Sequence, residues 1–184
     1  HVSGRMKGGN ERKMVVARRD DGDLVIFNAI ALDEPGMAEL EAFGKPTWLV
    51  VPNAFHRQDA YIWKQRFPAM RVVAPRGAEA AVAKALPVDL RCDEVPADGS
   101  VTVTHPEGLA NKEALMLVRH ASGQTVVTCD VLLNMAAKGV KFPFTLLLEP
   151  LGTLSTPRFM RWVMVKDKRA WQAQLATLAQ TVTR

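Results

Sequence analysis

The chain has too few cysteines to be built on disulfides. Two in 184 residues, Cys92 and Cys129, make neither a disulfide framework nor a Cys-x-x-Cys metal site. Each sits among apolar or β-prone residues, which reads as a reduced strand cysteine in a cytoplasmic protein; a single long-range disulfide is the other reading. Long apolar runs are missing too. None approaches the roughly 20 residues that a membrane-spanning helix needs, so no membrane association is expected. No secretory signal is read, because the first apolar segment follows a basic stretch and alternates. There is no Gly-x-Ser-x-Gly elbow, no P-loop and no Gly-x-Gly-x-x-Gly, which removes the common marks of serine hydrolases, nucleoside triphosphatases and dinucleotide enzymes. No internal repeat at a fixed short period and no low-complexity linker divide the chain.

What is present is ordinary for a soluble globular protein: 48% hydrophobic and 23% charged residues. The length suits one domain with a substantial core. The opening HVSGRM lacks an initial Met, so residues 1–12 are expected to be a tag remnant or flexible N-terminal segment, with Met6 a candidate native start. Residues 13–184 are expected to form a single domain. The net charge of +5 is uneven. Arg5, Lys7, Arg12, Lys13, Arg18 and Arg19 cluster against Glu11 alone; Arg158, Arg161, Lys166, Lys168 and Arg169 cluster around Asp167. Such clusters attract phosphate-rich partners, but no aromatic-interleaved motif accompanies them, so solvated faces are expected rather than a nucleic-acid site.

The order of elements is legible from pattern. Residues 13–32 are two β-prone runs around Asp20-Asp21-Gly22-Asp23, a hairpin signal. Residues 33–46 read as a short helix, with Pro35 early, Met37, Leu40 and Phe43 on one face, and Gly44 at the end. "TWLVVP" (47–52) is a continuous apolar run, as in a strand covered on both sides. A helix at 60–67, a strand at 71–75 and an Ala-rich helix at 77–86 follow. The second half changes character: candidate strands at 89–95, 100–105, 113–120 and 124–130, an irregular stretch at 138–157, and helices at 158–165 and 167–182. A hairpin, then strand–helix alternation, then a meander predicts an α/β (α+β layered) domain with a mixed sheet.

One stretch stands out. "VVPNAFHRQDAYIWKQRFP" (50–68) runs from an apolar strand through Asn53, His56, Arg57, Gln58 and Asp59 into an aromatic helix. Loops after strands are where α/β folds keep their chemistry.

This order resembles the metallo-β-lactamase fold from about Lys13 to the C-terminal helix, which implies a mixed β-sheet sandwich flanked by helices. "VVPNAFHRQDA" sits where that family carries its His-x-His-x-Asp-His loop. "GQTVVTCDVLLN" (123–134) is similar to the strand ending in a metal-bridging aspartate. "HPEGLANKEALMLVRH" (105–120) lies where the family has Gly-His-Thr-Pro-Gly-His, and "FPAMRVVAP" (67–75) resembles the strand after the metal-loop helix. The resemblance implies one or two zinc ions that activate water for hydrolysis of an ester, amide or phosphodiester. The motif itself is degenerate. With His56 as the first histidine, the later ligand positions carry Gln58, Ala60 and Tyr61; with Asp59 as the aspartate, the histidine positions carry Phe55, Arg57 and Ala60. Leu109 stands at a further ligand position.

The resemblance therefore leaves His56 and Asp130 as candidate metal ligands, with Asn53, Gln58, Asp59, Tyr61, His105 and Glu113 as cleft candidates. For His56 the alternative is a loop histidine bonded to nearby backbone or to Asp59. For Asp130 it is a cap for the following "VLLNMAA" segment. Glu113 either replaces a histidine or is a solvated residue at a strand start. His105 and His120 read as strand-end residues. A Cys129–His56 nucleophilic pair competes with the Asp130 reading, because strand alternation would turn Cys129 away from a cavity that Asp130 faces.

Three functions follow as expectations: a non-catalytic member of the fold that binds a small molecule or partner in a vestigial cleft, a metal-dependent hydrolase with a reduced site, and nucleic-acid association through the basic clusters. "KGVKFPFTLLLEPLG" (138–152) is apolar enough to cover the cleft or to form a homodimer surface.

Overall fold

The computed structural model describes residues 1–5, 11–134 and 143–182. Met6, Lys7, and the parts of the "VLLNMAA" and "KGVKFPFTLLLEPLG" segments between 135 and 142 lie outside the described residues.

The main sheet has six strands in sequence order. They are β1 (Val2–Arg5), β2 (Glu11–Arg18), β3 (Asp23–Phe27), β4 (Lys45–Val50), β5 (Arg71–Ala74) and β6 (Leu90–Arg91). The first three are antiparallel; β3 to β6 are parallel. β1 uses part of the stretch expected to be loose, since Val2 pairs with Met14 and Arg5 with Glu11. The Asp-Gly signal does close the β2–β3 hairpin. Gly22 sits at φ 88, and Arg19 donates to the Asp23 carbonyl at 2.9 Å.

Alternation sorts the strand residues into two layers. Leu24, Ile26, Leu49, Val51, Val72 and Ala74 face one side, where helices α1 (Glu34–Phe43), α2 (Ala60–Arg66) and α3 (Glu79–Val82) bring Met37, Leu40, Trp63 and Val82. Val25, Phe27, Trp48, Val50 and Val73 face the other side. There they meet Val101 and Val103 of β7 (Val101–Thr104), Met116 of β8 (Leu115–His120) and Val127 of β9 (Gly123–Val127), an antiparallel meander. The "TWLVVP" run is apolar throughout because both its faces are covered.

Two expected elements are shorter. The Ala-rich stretch is helical only over Glu79–Val82. The strand at 89–95 keeps only Leu90 and Arg91. Glu94 then accepts the Arg91 N–H at 2.7 Å and winds Cys92–Glu94 into a 3-10 turn, with Cys92 buried between the sheets. Phe43, expected on the buried face of α1, is about half exposed beneath the Arg18 guanidinium.

The C-terminal part adds β10 (Leu133–Asn134) paired with β11 (Leu154–Ser155), α4 (Phe144–Leu148), α5 (Arg158–Val163) and α6 (Lys168–Thr181). Asp167 caps α6 by accepting from Arg169 and Ala170. The helix is docked by the 105–112 loop. The Gly108 carbonyl accepts from Lys166 and Asp167, and a Cβ on Gly108 would lie 2.3 Å from the Asp167 carbonyl oxygen, so only glycine fits. Leu109, Val131 and Trp171 form a small third core at this joint.

Several of the described basic residues are engaged internally. Arg12 pairs with Asp59, and Arg19 is buried between Asp98, the Pro96 carbonyl and the Trp48 ring. Arg158 pairs with Glu149, whereas Arg161, Lys166, Lys168 and Arg169 are exposed. No helix among the described residues is long and apolar enough to cross a membrane.

Candidate metal site

Parallel strands end at one edge of the sheet, and both β3 and β4 end there in asparagine: Asn28 follows Phe27, and Asn53 follows Val51-Pro52. Loops at the carboxyl ends of parallel strands converge, because every such strand delivers its chain at the same side. Asn28 takes φ 59, a left-handed conformation that asparagine tolerates better than most residues. Its N–H donates to the Val50 carbonyl at 3.1 Å, tying the two strand ends together.

The 53–59 loop is polar chiefly because it wires itself to its surroundings. Asn53, 2% exposed, accepts the N–H groups of Phe55 and His56 on its Oδ1. Arg57 donates to the Ala81 carbonyl of α3. Asp59 is held by Arg12 and accepts the Ala31 N–H, which takes it out of the cleft. Gln58 and Tyr61 point outward and are exposed.

His56 remains, and it meets Asp130. Its Nε2 lies 3.1 Å from Asp130 Oδ1, and Asn53 Nδ2 donates to Asp130 Oδ2 at 2.9 Å. His56 does not bond Asp59, and no helix begins after Asp130 in residues 131–134, so neither alternative role applies. The other side of the ring is set by Asn28. The Asn28 amide donates through Nδ2 to the Lys13 carbonyl at 2.8 Å, which turns Oδ1 toward His56 Nδ1, 3.2 Å away. In that pattern Nδ1 carries a hydrogen. The Nε2 lone pair then faces a carboxylate oxygen, and a proton or a cation must sit between them.

Cys129 joins this pair. Its Sγ is 3.9 Å from Asp130 Oδ1, and one ligand atom each of His56, Cys129 and Asp130 lies within 4.8 Å of the others. The expectation that Cys129 turns away is corrected, since β9 stops at Val127 and alternation no longer applies two residues later. The backbone instead wraps around Glu113. This carboxylate is fully buried, not solvated, and accepts the N–H groups of Cys129, Asp130 and Val131 at 3.0–3.1 Å. The Ala114 N–H donates to the Pro52 carbonyl, which brings Glu113 in beside Asn53. Glu113 is thus the post around which the Asp130 loop is wound.

Burial pushes Glu113 up to about 7, opposed by its three backbone donors and reinforced by nearby Asp130. Burial, then Asp130 and Glu113, holds the Cys129 thiol well above its ordinary value. Left alone, Cys129 is a protonated thiol and a poor nucleophile. A cation beside it would change that, because metal coordination takes the proton from a thiol.

His105 lies elsewhere in its bonding. Its Nε2 accepts the Arg76 N–H at 3.0 Å, and burial lowers its pKa. His120 bonds Ser122 and Thr125 at the β8–β9 turn, as a strand-end residue would. Two residues of the site carried little sequence signal: Asn28, an asparagine in an apolar run, and Cys129, which was set against Asp130 rather than beside it. The detectable mark is the pair of asparagines at neighbouring parallel strand ends.

The donor set fits one ion. Tetrahedral zinc with bonds of about 2.0–2.3 Å places its ligands about 3.3–3.8 Å apart; the 3.1 and 3.9 Å separations lie just outside that range on either side, and all three ligand atoms fall within 4.8 Å of one another, so small side-chain shifts would close the set on an ion. Among the described residues, the other positions that the resemblance marks for ligands do not join this group: Leu109 is fully buried against Val131 and Trp171, and Gln58 and Tyr61 are exposed. No family model matches the chain, and no curated protein is significantly similar to it.

Proposed function

We propose that this chain is a metallo-β-lactamase-like domain with a reduced site: one divalent cation of the zinc class, held by His56 Nε2, Cys129 Sγ and Asp130, serving hydrolysis of a small-molecule substrate. The observation that carries the reading is the His56 Nε2 lone pair turned onto the Asp130 carboxylate, with a thiol alongside. Three protein ligands leave the fourth position open, as in catalytic zinc sites. When bound, such an ion lowers the pKa of its water toward neutrality. The chain's own residues supply the rest. Asn28 fixes the imidazole tautomer, Asn53 orients Asp130, and Glu113 holds the loop that carries two of the ligands. A cytoplasmic setting, where thiols stay reduced, suits Cys129 as a ligand.

The alternative is a non-catalytic binding domain in which a proton replaces the ion. The 3.1 Å His56–Asp130 contact is compatible with it, because an ordinary N–H···O hydrogen bond reaches that length. Nucleic-acid association has less support, since Arg12 and Arg19 of the first basic cluster are engaged internally.

Elemental analysis of protein purified without chelator, followed by zinc calorimetry, separates the two main readings. One zinc per chain, lost in H56A, together with chelator-sensitive hydrolysis of p-nitrophenyl acetate, supports the hydrolase. A chain that binds no zinc but melts lower as H56A supports the proton-bridged binding domain.

A further inference from the structure

A large cleft opens beside the candidate metal site. Its volume is about 1010 Å³, the upper end of what small-molecule sites usually have. Four elements line it with apolar side chains. Val15 and Phe27 are cross-strand partners on β2 and β3. Val126 and Val127 come from the end of β9. Leu175, Leu178, Ala179 and Val182 recur at helical spacing, so one stripe of α6 faces the cleft. Among the described residues, no acidic side chain lines it.

Of the polar residues in the lining, which also include His1, Thr125, Ser155 and Thr156, three are tied to the site by sequence or by bonding. Asn28 and Lys13 both line the cleft, and the Asn28 amide is bonded to the Lys13 carbonyl. Asn28 is also the residue that holds His56, and Thr128 of the lining directly precedes Cys129. The Lys13 side chain is exposed and forms no ion pair among the described residues. An apolar trough whose lining includes an unpaired lysine and no acidic side chain among the described residues matches one ligand chemistry: an apolar chain bearing an anionic head.

We propose that this cleft binds a fatty-acid-class amphiphile, the chain lying along β2, β3, β9 and α6 and the carboxylate meeting Lys13 beside Asn28. As a statement about binding it stands alone; as the substrate class of the neighbouring site it rests on the hydrolase reading. Burial of the chain supplies affinity at about 25 cal/mol per Å² of apolar surface, less the cost of immobilising it. Lys13 selects the anion.

The test is calorimetric titration of zinc-free protein with dodecanoate and with dodecanol. Saturable one-to-one binding of dodecanoate, at least tenfold tighter than that of dodecanol, is expected. A179F, which fills the cleft from an exposed helix position, and L175R should each weaken it tenfold or more. K13E should weaken dodecanoate and spare dodecanol. Absence of saturable dodecanoate binding overturns the proposal, as does binding that both cleft variants leave unchanged. A chain that runs as a dimer and takes up dodecanoate only on dissociation puts a second copy in the cleft and overturns it as well. Because the titration uses no metal, its failure leaves the zinc reading standing, and a failure of zinc to bind leaves the cleft standing.

Discussion

His56 Nε2 and Asp130 Oδ1 lie 3.1 Å apart although 74 positions separate them in the chain. Neither is placed by chance contact. His56 is gripped by Asn28 on its far nitrogen, and Asp130 by Asn53 on its far oxygen. Each partner is therefore oriented from outside the pair, the arrangement expected of ligands whose geometry must survive without the ion.

Zinc should bind once per chain, and its affinity should depend on each of the three ligands. Replacing Cys129 by serine exchanges a soft thiolate for a weak hydroxyl ligand, and D130N removes the charge. Each should lower zinc affinity tenfold or more in competition with a chromophoric chelator. Stoichiometry near two would require ligands outside this set and would end the single-ion reading.

Removing Glu113 should be costly for the fold. E113A strands three N–H groups, that of Val131 buried and those of Cys129 and Asp130 partly buried. An unsatisfied buried donor costs about 1–3 kcal/mol, so a loss of several kcal/mol is expected in urea unfolding. E113Q keeps one carbonyl oxygen and should lose less. Equal stability of E113A and the parent chain would show that water replaces the carboxylate.

How much of this was legible in the sequence depends on what set each residue's place. "TWLVVP" betrayed a strand covered on both faces, and Val50 and Leu49 do bury to opposite sides. The Asp-Gly turn, Pro35 and Gly44 marked their boundaries because local backbone preference decides there. The proximity of His56 and Asp130 follows from their places in the family resemblance, and the two do meet. Cys129 was misjudged because a period-2 argument was carried past the end of β9, where wrapping around Glu113 takes over. Glu113 is legible only as a cleft candidate that either replaces a histidine or is solvated at a strand start, and only tertiary folding shows that it holds the Asp130 loop. The Ala-rich segment keeps only Glu79–Val82 as helix and continues in turns, with Ala85 and Leu86 both donating to the Val82 carbonyl.

The joint at Leu109 should matter for stability rather than chemistry. Leu109 is fully buried with Val131 and Trp171, so L109A should cost about 2–5 kcal/mol by cavity formation. Thermal unfolding checks it; an unchanged midpoint would mean that α6 is not docked through this contact.

Acid should unfold the protein partly through Asp98. Burial works against its charge, but hydrogen bonds from Ser100, Val101 and Asp20 outweigh it and hold the carboxyl down at about 2. A carboxyl whose pKa is lowered on folding stabilises the fold above its ordinary value of 3.8, and that stability is lost as pH falls toward 2. D98N should therefore be less stable than the parent at pH 6, with the gap narrowing between pH 4 and pH 2. A gap that stays constant over that range would assign the effect to lost packing instead.

The last prediction separates the tautomer argument from mere packing. Asn28 sits at φ 59, so N28G keeps the backbone conformation while deleting the amide. Without that amide, nothing forces the hydrogen onto His56 Nδ1, and Nε2 is free to carry it and donate to Asp130 instead. The ring then offers the site no lone pair until the tautomer flips back. Loss of a residue that orients a ligand costs about 10–100-fold in metal affinity. N28G should show that loss, and N28D, which retains an acceptor oxygen, should recover most of it. The His56 ring nitrogens, read by ¹⁵N NMR of zinc-free protein, should shift from an Nδ1–H to an Nε2–H pattern in N28G alone. An unchanged tautomer with weakened zinc binding would leave Asn28 a packing residue and remove the argument on which the cation reading rests.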